Sequence, residues 1–140
     1  MSLETLALSS MGAGCLILEN DKVLLVRVNY GPAKGSFILP GGMVEADEHP
    51  HQACIRELKE ETGLTGEVIS QLCVRHRINQ KGRINIYWLF ICKNLSPEGT
   101  RFTFPAEEIQ EVKFMDIKEA LSSPEVRPNT QVFILSLIHI

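Results

Sequence analysis

The stretch from Gly42 to Leu64 reads G-M-V-E-A-D-E-H-P-H-Q-A-C-I-R-E-L-K-E-E-T-G-L. Pro50 suits a first helical position, where its missing N–H would be unpaired anyway. Gly63 suits the residue just past a helix end. The spacing therefore predicts a helix from about Pro50 to Thr62. On a wheel of about 100° per residue, Glu61 lies about 40° to one side of Glu57 and Glu60 about 60° to the other. Three carboxylates share one stripe, while Cys54, Ile55 and Leu58 occupy an arc suited to packing on a sheet. Like charges at these spacings cost a few tenths of a kcal/mol per exposed pair, and partial burial makes that worse. Glu57-Leu-Lys-Glu-Glu61 alone reads equally as a solvated acidic face or as the seat of a divalent cation. The flanking Gly41-Gly42, which permits close backbone approach, and the opposite charges of Glu48 and Arg56 favour the cation. Oxygen-only ligands suit Mg²⁺ or Mn²⁺ better than zinc.

On the N-terminal side, Gly12 to Glu19 and Lys22 to Val28 are apolar runs joined by Asn20-Asp21, the pattern of a β-hairpin. Val23-Leu-Leu-Val-Arg-Val28 does not alternate, as expected of a central strand covered on both faces. Residues 29–36, rich in glycine and proline, form a loop. Phe37 to Leu39 is a short apolar piece, and residues 43–48 form another loop. On the C-terminal side, Glu67 to Asn79 and Arg83 to Lys93 read as long strands around a Gln80-Lys81-Gly82 turn. In the second, Ile84, Ile86, Trp88, Phe90 and Cys92 share a face. Gln110 to Met115 reads as a strand, Asp116 to Leu121 as a short helix, and the tail from Asn129 as a last helix. The pattern predicts an α+β fold, an α/β/α sandwich around a mixed β-sheet.

Length and charge narrow the partners. A chain of 140 residues suits one domain over 1–140, with Met1-Ser2-Leu3 resembling a cloning scar. A net charge of −3 and a pI near 5.8 argue against a nucleic-acid duplex. No apolar run approaches a membrane span, no signal peptide is evident, and the apolar C-terminal run reads as a packed element. Cys15, Cys54, Cys73 and Cys92 each sit in apolar sequence without a C-x-x-C pair, so they read as buried free thiols suited to a reducing cytoplasm. His49 and His51 alone are weak grounds for a zinc site.

With these residues in place, the segment resembles the Nudix box of the MutT-like hydrolases. That box is a glycine, five residues, a glutamate, seven residues, then R-E-U-x-E-E-x-G-U with U apolar. Gly42, Glu48, Arg56, Glu57, Leu58, Glu60, Glu61, Gly63 and Leu64 fill every fixed position, and Leu39-Pro40-Gly41 resembles the usual lead-in. The resemblance implies a single Nudix-type domain that hydrolyses a phosphoanhydride bond in a nucleoside-diphosphate-linked substrate. It implies metal ligation of Mg²⁺ or Mn²⁺ by Glu57, Glu60, Glu61 and the Gly41 carbonyl, an orienting role for Arg56, and a structural one for Glu48. It also implies a further glutamate outside the box as base or ligand, with Glu107, Glu108 and Glu111 as candidates. Glu111 is preferred because it opens an apolar strand. Arg27, Lys34, Arg77 and Tyr87 are the expected substrate contacts, with Arg75 and Arg83 as further candidates. The missing proline soon after the box makes ADP-ribose a weaker expectation than a nucleoside triphosphate or modified nucleotide. The expected partner is thus a small nucleotide, with a homodimer left open. The alternative is a nucleotide-binding sensor without turnover; such domains commonly lose box carboxylates, and this chain keeps them. One departure is His49-Pro50-His51-Gln52 where the family often has Thr-Pro-Glu-Glu. It removes a hydroxyl cap but leaves Gln52 able to supply half of a capping box, and His49 and His51 are set near the substrate mouth as a lesser expectation.

Overall fold

A computed structural model describes residues 5–139, so the Met1-Ser2-Leu3 reading lies outside the described residues. The chain runs β1 (Ser9–Leu16), β2 (Leu18–Glu19), β3 (Lys22–Val28), β4 (Phe37–Ile38), β5 (Gly41–Met43), α1 (Pro50–Thr62), β6 (Gly66–Ile78), β7 (Ile84–Asn94), β8 (Ile109–Asp116), α2 (Ile117–Ser122) and α3 (Pro128–Ile138). One sheet has the order β5-β1-β7-β6; in the other, β3 pairs with β2, β4 and β8. Only β1 and β7 run parallel among the named pairs, so the sheets are mixed.

Burial on both faces explains the unbroken apolar run of β3. Leu24 and Val26 join a core with Ala53, Cys54 and Leu58 of α1. Val23 and Leu25 join a second core with Ala120 of α2 and Phe133 and Ile134 of α3. Period-two alternation thus sends successive side chains to opposite layers, giving the expected sandwich. Strand β7 follows the same rule: Trp88, Phe90 and Cys92 face α1, while Tyr87 and Leu89 face α3.

The hairpin expectation holds only near its tip. Asn20 and Asp21 take φ values of 49° and 62°, the left-handed pair that a tight two-residue connection requires. The first strand, however, does not continue as one partner of β3. Residues Ser9–Leu16 pair in parallel with β7, and the chain changes sheets at Ile17, whose carbonyl accepts from Leu24 N–H at 3.1 Å. Local patterning marks the turn but carries no information about this distant partner. The strand β5 was also not expected. Glycines 41 and 42 have poor strand propensity, yet they pair with Gly14 and Ala13 of β1.

The helix that carries the acids is fixed at both ends. His49 N–H donates to Gln52 Oε1 at 2.8 Å, the glutamine half of a capping box. At the other end Gly63 has φ 81° and its N–H donates to the Lys59 carbonyl at 2.9 Å. Thr103 N–H reaches the Thr62 carbonyl at 3.0 Å, so a Cβ on residue 63 would also collide with the Thr103 hydroxyl. Gly63→Ala should therefore cost at least about 1 kcal/mol from the left-handed backbone alone. Urea denaturation in chelator measures it; an unchanged midpoint would show that the helix end is not held this way.

Candidate active site

Helix α1 presents the three glutamates in three environments. Glu60 is half-exposed, with 53% of its side chain open, and Glu57 retains 16%. Glu61 is buried at 8% because it sits at the border between the acid stripe and the stripe of Cys54 and Leu58 that packs on the sheet. The hydrogen bond to its carboxylate comes from Gly41 N–H, at 2.7 Å to Oε1. Burial raises Glu61 to about 8, against the lowering effect of that bond, and Glu57 and Glu108 add repulsion. Burial also raises Glu57, opposed by Arg56.

The two glycines before the helix make this approach feasible. A Cβ on Gly42 would lie 2.5 Å from the Glu57 carboxyl carbon. On Gly41 it would strike the Ala13 carbonyl of β1. The backbone of β5 can therefore lie directly under the carboxylates.

Arg56 holds the loop to the helix. Its Nε and Nη2 donate to the two oxygens of Glu48 at 2.7 and 3.0 Å, a bidentate pair. Nη2 also reaches the Met43 carbonyl at 2.9 Å, and Nη1 reaches Glu57 at 2.9 Å and Glu60 at 3.2 Å. Glu48 in turn accepts from Glu45 N–H at 3.0 Å. The Arg56 hydrogen bond holds Glu48 down to about 2, with the Glu45 bond adding to it. Arg56 is raised, first by Glu48.

A cleft of about 440 Å³ opens beside Gly41 and Gly42. Its walls include Tyr30, Arg75, Arg77, Asn85 and Tyr87. Cross-strand register aligns Arg75 with Tyr87 and Arg77 with Asn85. Arg75 stacks over the Tyr87 and Phe133 rings at 5.6 and 5.2 Å. Neither arginine makes an ion pair among the described residues. Gly12 belongs to the lining as well, and the Tyr87 ring lies where a Cβ at residue 12 would be crowded, at 3.1 Å.

The structure thus brings Gly41, Arg56, Glu57, Glu60 and Glu61 together, and places Arg77 and Tyr87 on the adjoining cleft. It puts Arg27 and Lys34 outside that lining. Arg27 is engaged elsewhere: Nη2 bonds Glu125 at 3.0 Å, Nε lies 3.7 Å from Glu111, and the guanidinium sits over the Phe37 ring. Glu111 is therefore the cross-strand partner of Arg27, while Glu108 contributes charge to Glu57, Glu61 and Tyr30. Opening an apolar strand gave Glu111 its sequence-based preference, but the strand's pleat aims it at Arg27. Tyr30 and Asn85 were not singled out from sequence. Tyr30 lies beside the glycines of a loop, and Asn85 is marked only by its register with Arg77. His49 and His51 stack on each other at 5.6 Å and do not line the cleft.

The burial of Glu61 fixes the sign of a pH effect. A carboxyl raised in the folded state favours folding while protonated, and that contribution is lost as pH rises from about 4.5 through about 8. Glu61→Gln holds the group neutral and keeps an acceptor for Gly41. In chelator, the stability gap in favour of Glu61→Gln should open across this window. Melting temperatures of both proteins at its two ends measure it, and parallel curves would contradict the assigned environment.

Comparison with known proteins bears on the family and the fold. A family model described as NUDIX domain matches residues 9–136. An ADP-ribose pyrophosphatase of Methanocaldococcus jannaschii is 48% identical over 59 residues, covering 42% of this chain and 35% of that one. Nudix hydrolase 8 of Arabidopsis thaliana is 32% identical over 123 residues, covering 84% and 32%. The chain spans about a third to a half of the length of the curated relatives it matches. A MutT Nudix hydrolase from Burkholderia pseudomallei superposes with a TM-score of 0.78 at 22% identity, covering 92% of this chain and 98% of that one, which speaks to the fold. With the family model spanning nearly every element, from β1 to α3, the chain belongs to the Nudix hydrolase family.

Proposed function

We propose that this protein is a divalent-metal-dependent hydrolase of phosphoanhydride bonds in nucleoside-diphosphate-linked substrates, with a nucleoside triphosphate or modified nucleotide as the leading class. The observation that carries the proposal is the buried Glu61 carboxylate beside Glu57 and Glu60, held by the N–H of Gly41, a residue that itself lines a cleft with two arginines that make no ion pair among the described residues. A structural helix gains nothing from burying an acid among acids. A hard cation compensates that cost, and an oxygen-only donor set fits Mg²⁺ or Mn²⁺.

Glu57, Glu60, Glu61 and the Gly41 carbonyl would hold the ion. When bound, it lowers the pKa of a water and offsets charge on phosphate oxygens. Arg56 positions the acids by tying the helix to the loop through Glu48. In the reaction a water oxygen bonds to phosphorus, the bridging P–O bond breaks, and the water proton passes to a carboxylate. Glu108 replaces Glu111 as our preferred acceptor, because its charge is felt by Glu57 and Glu61. In this reading Arg75 and Arg77 meet substrate charge, Asn85 offers hydrogen bonds, Tyr30 offers a ring face to a base or ribose, and Tyr87 backs Arg75. A nucleoside triphosphate would leave a nucleoside monophosphate and pyrophosphate.

ADP-ribose is a second reading, favoured by the name of the M. jannaschii relative, although that likeness covers only 42% of this chain. Phosphate-release kinetics on a nucleotide panel with Mg²⁺ or Mn²⁺ separate the two: a kcat/KM favouring ADP-ribose over the best triphosphate would replace the first reading, and no turnover at all would leave a sensor.

Glu60→Gln and Glu61→Gln should each lower kcat by at least about a hundredfold, since lost transition-state charge stabilisation costs several kcal/mol. Neither should lower the melting temperature in chelator. Glu108→Gln should reduce kcat more than Glu111→Gln. Near-normal turnover in both box variants would defeat the metal-ligand assignment, and a larger loss at Glu111 would restore it as the acceptor.

A further inference from the structure

Beyond the acid stripe, α1 takes part in a second cluster of ligand-type atoms. Cys54 of α1, Cys15 of β1 and Cys92 of β7 are all buried, and their sulfurs lie within 4.8 Å of one another. Cys54 Sγ is 3.6 Å from Cys92 Sγ and 3.4 Å from the Gly14 carbonyl oxygen. Three elements far apart in sequence thus converge three thiols on one point.

We propose that Cys15, Cys54 and Cys92 form a trithiolate site for one thiophilic divalent cation of the zinc–cadmium kind. The spacing suits it: a tetrahedral ion with bonds of about 2.3 Å to sulfur sets its thiolates about 3.8 Å apart. The Gly14 carbonyl stands at the edge of the cluster as an oxygen for the fourth position. Soft sulfur selects this class of ion over Mg²⁺ and Mn²⁺. Three thiolates and a divalent ion leave a single net negative charge, the least that three such ligands allow in an apolar layer. Binding is a ligand exchange without redox change: three S–H protons leave as three metal–sulfur bonds form.

The site is separate from the acid stripe. Cys54 and Glu61 are seven residues apart on one helix, about 10 Å along its axis. An ion there would fasten α1 to β1 and β7, the strands behind the catalytic acids. Because the thiols are buried, loading belongs to folding or to a local opening of α1.

The test refolds the reduced 140-residue chain with Cd²⁺ in excess Mg²⁺, which occupies oxygen ligands. A thiolate-to-cadmium charge-transfer band saturating at one equivalent is expected. It should vanish in Cys54→Ala and Cys92→Ala and persist in Cys73→Ser, since Cys73 lies outside the cluster. Cadmium NMR of the unsubstituted protein gives a readout that does not depend on the variants folding, and a signal in the sulfur-coordinated range is expected. A missing band, a band that survives in folded Cys54→Ala, or a cadmium signal in the oxygen-coordinated range would each overturn the proposal.

Discussion

Mutual repulsion among Glu57, Glu60 and Glu61 is the constraint around which the molecule is arranged. Left alone, three carboxylates on one helical stripe would disfavour both the helix and its docking. Arg56 answers part of that repulsion, with one nitrogen reaching both Glu57 and Glu60. Its other nitrogens grip Glu48 and the Met43 carbonyl, so the same side chain sets where the preceding loop lies. Glu61 escapes Arg56 altogether and is instead pressed against Gly41. The arrangement leaves one buried acid undercompensated, next to an open cleft.

That residue links packing to chemistry. Leu58 and Cys54 anchor α1 in the core shared with β1, β3 and β7, and Glu61 lies on the edge of the same stripe. Docking the helix therefore forces the carboxylate out of water. The bare backbone at Gly41 and Gly42 lets the helix come this close. Burial, rather than any single partner, perturbs Glu61 most.

Much of this was readable from residues 42–64. Helix ends at Pro50 and Gly63, the acid stripe and the Glu48–Arg56 brace all follow from local spacing, and local spacing is what a sequence displays. The outer features were not readable for the opposite reason. Whether β1 pairs with β3 or β7 depends on a partner some 75 residues away in register, such as Ser10 beside Asn85. The cleft depends on cross-strand alignment of Arg75 with Tyr87 and Arg77 with Asn85. Arg27 looked available to substrate because neither Glu125 nor Phe37 is near it in sequence. The four cysteines read as buried thiols, but only the fold reveals that three of them meet.

The central claim is that the undercompensated carboxylate exists to receive a hard cation, and proton exchange on binding tests it most directly. Below about pH 8, metal-free Glu61 retains its proton, and a cation must displace it. Titrating Mn²⁺ into the metal-free protein by calorimetry, in buffers of different ionisation enthalpy, counts the protons released. The account predicts release near neutral pH that disappears above about pH 8 and is absent in Glu61→Gln. Binding with no proton release at neutral pH, or the same release in Glu61→Gln, would contradict it.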